Sequence, residues 1–196
     1  QSLADDIRND YQKLPQITAR WRGTYNWMGV EPILLTQFSH FDSDSVRVTG
    51  ERLYLEAGLT MPNHWVYGYL TPTVKYRSVS YELDDFPLLE DDSPDAGSLM
   101  ASLDGGLIFE RQTSLAGVSV TQTLEPRAYY LYSEYEEQFG QPDFDSAELT
   151  FSYDQLYRDT RFSGHDRIDD ANQLAIGVTT RFINNESGIF FRGEYN

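Results

Sequence analysis

The sequence predicts an all-β fold: an antiparallel transmembrane β-barrel, present here as a partial barrel of about eight or nine strands. Three observations lead there. Residue character alternates with a period of two over runs long enough to cross a bilayer when tilted. Those runs are joined by connections that are short and long by turns, as in barrels with tight turns on one side and loops on the other. Mean hydropathy is −0.52, and no apolar run approaches the roughly 18 residues that a membrane helix requires.

Taken in order, the first run sets Ile17, Ala19, Trp21, Gly23 and Tyr25 against Thr18, Arg20, Arg22 and Thr24. The next strong run sets Leu53, Leu55, Ala57, Leu59 and Met61 against Arg52, Tyr54, Glu56, Gly58 and Thr60. Leu70, Pro72, Val74 and Tyr76 then alternate with Thr71, Thr73, Lys75 and Arg77. In the run 118–132, Val118, Val120, Leu124, Pro126, Ala128, Tyr130 and Tyr132 oppose Ser119, Thr121, Thr123, Glu125 and Arg127. Leu174, Ile176, Val178, Thr180 and Phe182 face away from Gln173, Thr179 and Arg181. Weaker strands are expected at 33–41, 103–110, 147–153 and 189–195.

Short links are expected at 62–64 and 113–117, and long ones at 42–50, 84–98 and 134–145. The long segment 154–170 and the short one 184–187 break the alternation, so either the strand count fails there or that turn folds into the lumen. Pro126 removes a ladder donor inside a strong strand and is expected at a bulge or edge.

The polar faces carry Thr, Ser and Gly with occasional charges, as a wet lumen would, instead of the dense charge coat of a soluble surface. An Arg or Lys facing lipid at the midplane costs about 2–4 kcal/mol. Arg20, Arg22, Tyr54, Glu56, Lys75, Arg77, Glu125 and Arg127 are therefore expected to face the lumen, with Glu125 and Arg127 as a pair beside Pro126.

With 15 basic against 31 acidic residues the net charge is −16. Nucleic acid is excluded as a partner, since phosphate binding needs clustered cations. The 14 Tyr, 11 Phe and 3 Trp are too many aromatics for a disordered acidic tail. Cysteine is absent, which removes disulfides and thiolate metal sites. No charged-then-apolar leader is visible in residues 1–18.

Two motifs then carry a resemblance. The run Val120-Thr121-Gln122-Thr123-Leu124-Glu125-Pro126-Arg127-Ala128-Tyr129-Tyr130-Leu131-Tyr132 resembles the TQTLEPR-x-x-YLY signature of the lipopolysaccharide-assembly barrel family, LptD. Leu156-Tyr157-Arg158-Asp159-Thr160-Arg161-Phe162-Ser163-Gly164-His165-Asp166-Arg167-Ile168, followed by Ala171-Asn172-Gln173 and Gly177-Val178-Thr179-Thr180-Arg181, is similar to that family's second long segment. The likeness is strongest over 107–182. It implies a cell outer membrane barrel of roughly two dozen strands that receives lipopolysaccharide from a periplasmic bridge and inserts it in the outer leaflet. It also implies an LptE-like lipoprotein plug in the lumen, contact with outer-membrane lipid, and folding through the barrel-assembly machinery. The family's N-terminal periplasmic domain, its paired cysteines and its first and last strands are missing here. Residues 1–196 thus read as an interior segment of the C-terminal transmembrane barrel domain.

Neither catalysis, a metal site nor a cofactor is expected. Ser163, His165 and Asp166 could suggest a hydrolytic group, but near neighbours on one loop seldom reach relay geometry. Arg158, Asp159, Arg161, Asp166 and Arg167 are instead expected to pair and order a structural turn. Asp42 with Asp44, and Glu90 with Asp91 and Asp92, offer oxygen ligands without the spaced glycine of a calcium loop. Asn185-Glu186-Ser187 fits a glycosylation sequon by chance. Two other functions are kept open: a general outer-membrane porin, recognised by an open conducting lumen, and a soluble carbohydrate-binding β-sandwich, recognised by solubility without detergent.

Overall fold

A computed structural model describes residues 11–24, 28–43, 48–84, 92–115, 117–184 and 188–195. Its strands are β1 (Gln12–Arg22), β2 (Glu31–Asp42), β3 (Gly50–Thr60), β4 (Asn63–Trp65), β5 (Gly68–Leu83), β6 (Asp95–Leu107), β7 (Phe109–Leu115), β8 (Val118–Ser133), β9 (Ala171–Asn184) and β10 (Gly188–Tyr195). Each pairs antiparallel with its neighbour in one sheet ordered β1-β2-β3-β5-β6-β8-β9-β10, with β4 on β5 and β7 on β8. Strands β1 and β10 are the two edges, and the sheet does not close on itself among the described residues.

The strong period-two runs all lie in strands, and their register carries the alternation across the sheet. Residues Arg20, Leu35, Glu56, Arg77 and Ser98 stand side by side on one face, while Ala57, Tyr76 and Leu99 share the other. Strand β6 begins at Asp95, inside the stretch 84–98 expected to be a long link. The expected strand at 103–110 spans the end of β6 and the start of β7.

The segment 147–153 is not a strand. It forms a single bridge, Glu148 to Phe162, and leads into a 3-10 turn at Tyr153–Tyr157. Alternation of side chains describes extended backbone, and a strand also needs a partner along its length. Without that strand the anomaly in the connections disappears, because 134–170 becomes one long excursion between β8 and β9. The connections 43–49, 84–94 and 134–170 are then long and lie at one end of the sheet. The links β4–β5, β7–β8 and β9–β10, of two or three residues, leave the other end, as does 23–30 between β1 and β2, which at eight residues is the long one there.

The expected link at 62–64 and the expected bulge at Pro126 are both short breaks between strands without any change of register, and at the first the Met61 N–H still donates to the Pro72 carbonyl at 3.0 Å. Thr60 faces Thr73 and Asn63 faces Leu70, so Met61 and Pro62 oppose Thr71 and Pro72 one for one. Gly106 faces Arg127 and Phe109 faces Leu124, so Leu107 and Ile108 oppose Glu125 and Pro126 in the same way. A proline has no N–H to give the ladder, and strand β8 stays continuously paired to β9 through Pro126 opposite Val178. Freed groups find other partners: the Asn63 amide donates to the Met61 carbonyl at 2.9 Å, and the Ile108 N–H donates to that of Tyr67 at 2.8 Å.

The core lies between one face of the sheet and the 134–170 excursion. Phe41, Tyr54, Val79, Tyr81, Leu83 and Ala96 on the strands close around Phe144 and Ile168 from the excursion. Phe144 stacks on Phe41 at 4.3 Å and meets the edge of Tyr11 at 5.1 Å; burial of such a side chain stabilises by about 1.5–3 kcal/mol. A second cluster joins Met100, Tyr129 and Leu131 to Tyr157. The opposite face is bare and apolar, with Trp21, Leu53, Leu55, Val74, Tyr76, Leu103, Tyr130, Leu174 and Ile176 exposed.

Candidate functional site: a sheet face closed by its own connection

The covered face is held by charge pairs that run from the strands to the excursion. The first is built on Arg52, which β3 places between Ser39 and Tyr81. Its guanidinium is fully buried and lies over the Phe41 ring, 4.9 Å from the centroid. Nη1 donates to Asp145 Oδ1 at 2.6 Å and to Asp166 Oδ1, while Nη2 donates to Asp145 Oδ2 and Gln37 Oε1, each at 3.1 Å. Lys13 also reaches Asp145, at 2.7 Å.

Asp166, itself fully buried, organises the excursion around this cation. It accepts from the backbone N–H groups of Phe144 and Asp145 at 3.0 and 2.7 Å and from the Tyr81 hydroxyl at 3.1 Å. Gly164 turns the chain into this position with φ +69°, where a Cβ would lie 2.6 Å from the Asp145 carbonyl oxygen. The two carboxylates titrate apart. Burial opposes ionisation of Asp145, but hydrogen bonds from Arg52 overcome it and hold this carboxyl well below the usual range. Burial pushes Asp166 up, assisted by Asp145 beside it.

The second node joins Glu56, Lys75 and Arg77 to Asp159. Lys75 bridges Glu56 at 2.9 Å and Asp159 at 2.8 Å, and Arg77 does the same at 2.9 and 2.7 Å. Arg77 also donates to the Asp159 carbonyl at 2.8 Å. Burial would raise the Asp159 carboxyl, yet Arg77 and Lys75 outweigh it and hold it low. His165 stacks on Tyr54 at 4.1 Å, and burial together with nearby Arg52 lowers its pKa, so the imidazole is neutral at pH 7.

At the third node Arg127 grips Asp104 at 2.6 and 2.9 Å and lies 4.0 Å over the Tyr157 ring. Gly177 leaves room for the Tyr153 and Tyr157 hydroxyls against β9. Burial and neighbouring Tyr153 push the Tyr157 phenol up to about 12. Glu125 pairs with Arg181 at 3.0 Å, so the expected pair of Glu125 with Arg127 does not form. Each finds an opposite charge across the ladder instead.

Register places all eight of Arg20, Arg22, Tyr54, Glu56, Lys75, Arg77, Glu125 and Arg127 on this same face. Arg20 and Arg22 stand apart from the nodes on exposed β1, Arg22 pairing with Glu31 at 3.0 Å. The turn residues were expected to pair among themselves and do not. Asp159 and Asp166 bind strand cations, Arg161 forks onto Asp169 at 2.6–3.1 Å, and Arg167 donates to the Gln138 carbonyl at 3.4 Å. Arg158 contributes its backbone N–H to Gln155 at 3.2 Å. The base of the excursion is closed by Gln138, whose amide donates to the Ile168 carbonyl at 2.7 Å and accepts from its N–H at 2.9 Å.

Ser163, His165 and Asp166 do not converge. The Ser163 hydroxyl is committed to the Ala147 backbone at 3.1 and 3.2 Å, the His165 ring to Tyr54 and the Asp166 carboxylate to Arg52. Asp44, Glu90, Asp91 and the 185–187 sequon lie outside the described residues. Residues that the sequence left unmarked include Gln37, Asp104 and Asp169, and Arg181 was placed on a polar face without a partner. Asp145 entered only as the last residue of the expected long link 134–145.

The family model LptD, LPS transport system D, matches residues 2–192. The LPS-assembly protein LptD of Pseudomonas aeruginosa strain LESB58 is 42% identical over 207 residues, covering 88% of this chain and 22% of its own length. That of Xanthomonas campestris pv. campestris strain 8004 is 48% identical over 145 residues, covering 71% and 18%. That of Alcanivorax borkumensis is 41% identical over 191 residues, covering 94% and 25%. The chain thus spans a quarter or less of the length of these relatives. Since the family match spans residues 2–192, taking in the strands and the excursion whose charges lock the covered face, this chain belongs to the LptD family.

Proposed function

We propose that this chain is a wall segment of an outer-membrane barrel that assembles lipopolysaccharide into the outer leaflet, in a non-catalytic transport role. One observation carries the reading: the sheet is bare and apolar on one face and polar, ion-paired and covered on the other. A bilayer accepts the first face, and a lumen suits the second. The short turns then lie on the periplasmic side and the long connections outside. Strands β1 and β10 continue into further strands of the full barrel, because unpaired edges are not tolerated in lipid.

Membership of the family supports lipopolysaccharide as cargo and an LptE-like lipoprotein as a lumen partner. The excursion offers that partner Tyr135, Phe139 and Phe151, all exposed. A general porin would keep the covered face open to water, whereas here 134–170 packs against it. A soluble carbohydrate-binding sandwich would cover its large apolar face.

The test is complementation of a depleted strain with the full-length protein, reading lipopolysaccharide at the cell surface. Leu55→Arg with Leu174→Arg places two cations in lipid at about 2–4 kcal/mol each and should abolish export and barrel assembly. Thr18→Arg, beside Arg20 on the covered face, should be tolerated. Normal export by the double variant would overturn the reading.

A further inference from the structure

We propose that a depression on the apolar face, beside the turn between β4 and β5, is a binding site for an acyl chain of a phospholipid. The proposal rests on the lipid-facing reading of that face. Its shape follows from register. Leu70, Gly105, Ala128 and Ile176 stand in one row across β5, β6, β8 and β9. A hydrogen and a methyl occupy the two middle places; Ile176 rises on one side, and Leu70 leans in from the other, its Cδ1 3.0 Å from where a Gly105 Cβ would stand. At about 4.8 Å per strand, the floor left open admits no more than one hydrocarbon chain.

Trp65 and Tyr67, stacked at 6.2 Å in the adjoining turn, form a third wall. Such aromatics sit at the interfacial level of membrane barrels. The hollow encloses about 430 Å³, within the range of ligand sites. It abuts the gap in pairing at Pro126, where β6 and β8 exchange no ladder bonds.

The lining selects hydrocarbon. The guanidinium of bordering Arg127 is turned to the opposite face, onto Asp104, so no cation in the lining faces a phosphorylated sugar. Through Trp65 and Tyr67 the hollow also abuts the short turn before β5, on the side of the inner leaflet in the proposed orientation. Both points favour a phospholipid chain over the acyl chains of lipopolysaccharide.

The experiment is native mass spectrometry of the full-length protein released from nanodiscs of phosphatidylethanolamine and phosphatidylglycerol. One phospholipid should persist at collision energies that strip the rest. Ala128→Leu fills the floor and should lower that retention roughly tenfold or more, the discrimination apolar pockets reach for one or two methylenes. Ala128→Val should lower it less, and it decides the matter if the larger variant does not assemble. Ala57→Leu, on the same face of β3, should retain the lipid. Equal retention in wild type and the Ala128 variants overturns the site, as does a retained mass of lipopolysaccharide or peptide. Bimane attached at Ala57→Cys, with phospholipids brominated on their chains, separates the two readings. If it is not quenched, the lipid-facing reading fails and the site with it. If it is quenched while Ala128→Leu and Ala128→Val keep the lipid, the site alone fails.

Discussion

Replacing Arg52 by methionine keeps much of the side-chain volume but removes the one cation shared by Asp145 and Asp166. Both carboxylates stay nearly shielded, at 6% and 0% side-chain exposure. Breaking a buried pair from one side costs about 3–5 kcal/mol, and since Asp145 keeps Lys13 at 2.7 Å the uncompensated charge falls chiefly on Asp166. Asp166, already pushed towards its protonated form, can take up a proton, which holds the loss near the lower figure. The amides of Phe144 and Asp145 both donate to Asp166 and so report directly on docking of the excursion. In the full-length protein their hydrogen exchange should accelerate by about a hundredfold or more, at tenfold for each 1.4 kcal/mol. Adding Asp145→Asn and Asp166→Asn should recover much of the protection. Arg127→Met is the internal comparison: with Arg127 35% and Asp104 23% exposed, solvent screening limits its effect to about 1 kcal/mol or less. Unchanged exchange at residues 144 and 145 in Arg52→Met would refute the view that this cation fastens the excursion.

Asp159 gives a pH dependence of known sign. Its folded-state pKa is depressed, so its stabilisation is complete above the unfolded value of about 3.9 and is lost as pH falls through the lower folded value. Exchange in residues 153–162 should therefore rise on acidification below about pH 4, and Asp159→Asn should remove that component. Asp166→Ala should reduce the yield of heat-modifiable barrel more than Arg161→Ala does, since Asp166 is fully buried while the Arg161 side chain is 57% exposed; equal yields would contradict this ordering. Ser163→Ala should leave surface lipopolysaccharide unchanged, and His165→Ala should cost only the ring contact with Tyr54. Loss of export from a properly assembled Ser163→Ala protein would reopen a catalytic role.

The two faces of the sheet were legible because period two is a local property. Once Arg52, Lys75 and Arg127 alternate with apolar neighbours, the pleat carries them to one side wherever the strand sits. The partners of those cations were not legible. Arg52 meets Asp145 and Asp166 across 93 and 114 residues of chain, and nothing in local spacing encodes such a pairing. The expected Glu125–Arg127 pair shows the limit from the other side: residues two apart on a strand share a face, yet the opposing strands supplied closer carboxylate and guanidinium partners in Asp104 and Arg181. The segment 147–153 misled because extended alternation there has no neighbouring strand to pair with. The turn motif was marked as residues that pair among themselves, whereas Asp159 and Asp166 reach outward to the sheet. Pro126 signalled broken pairing and Pro62 opened an expected short link, while the preserved register at both emerges only from the paired strands.

Accessibility of spin labels along both faces tests the central claim most directly. In the full-length protein in nanodiscs, single cysteines at Leu55, Val74, Leu103 and Leu174 on the bare face and at Thr18, Ser102 and Gln173 on the opposite face would be labelled. Power saturation would then be read against oxygen, which concentrates in lipid, and against a water-soluble nickel chelate. The account predicts oxygen-dominated relaxation at the first four positions and at none of the other three. Nickel-dominated relaxation at Leu55, Val74, Leu103 and Leu174 would place the apolar face in water and contradict it.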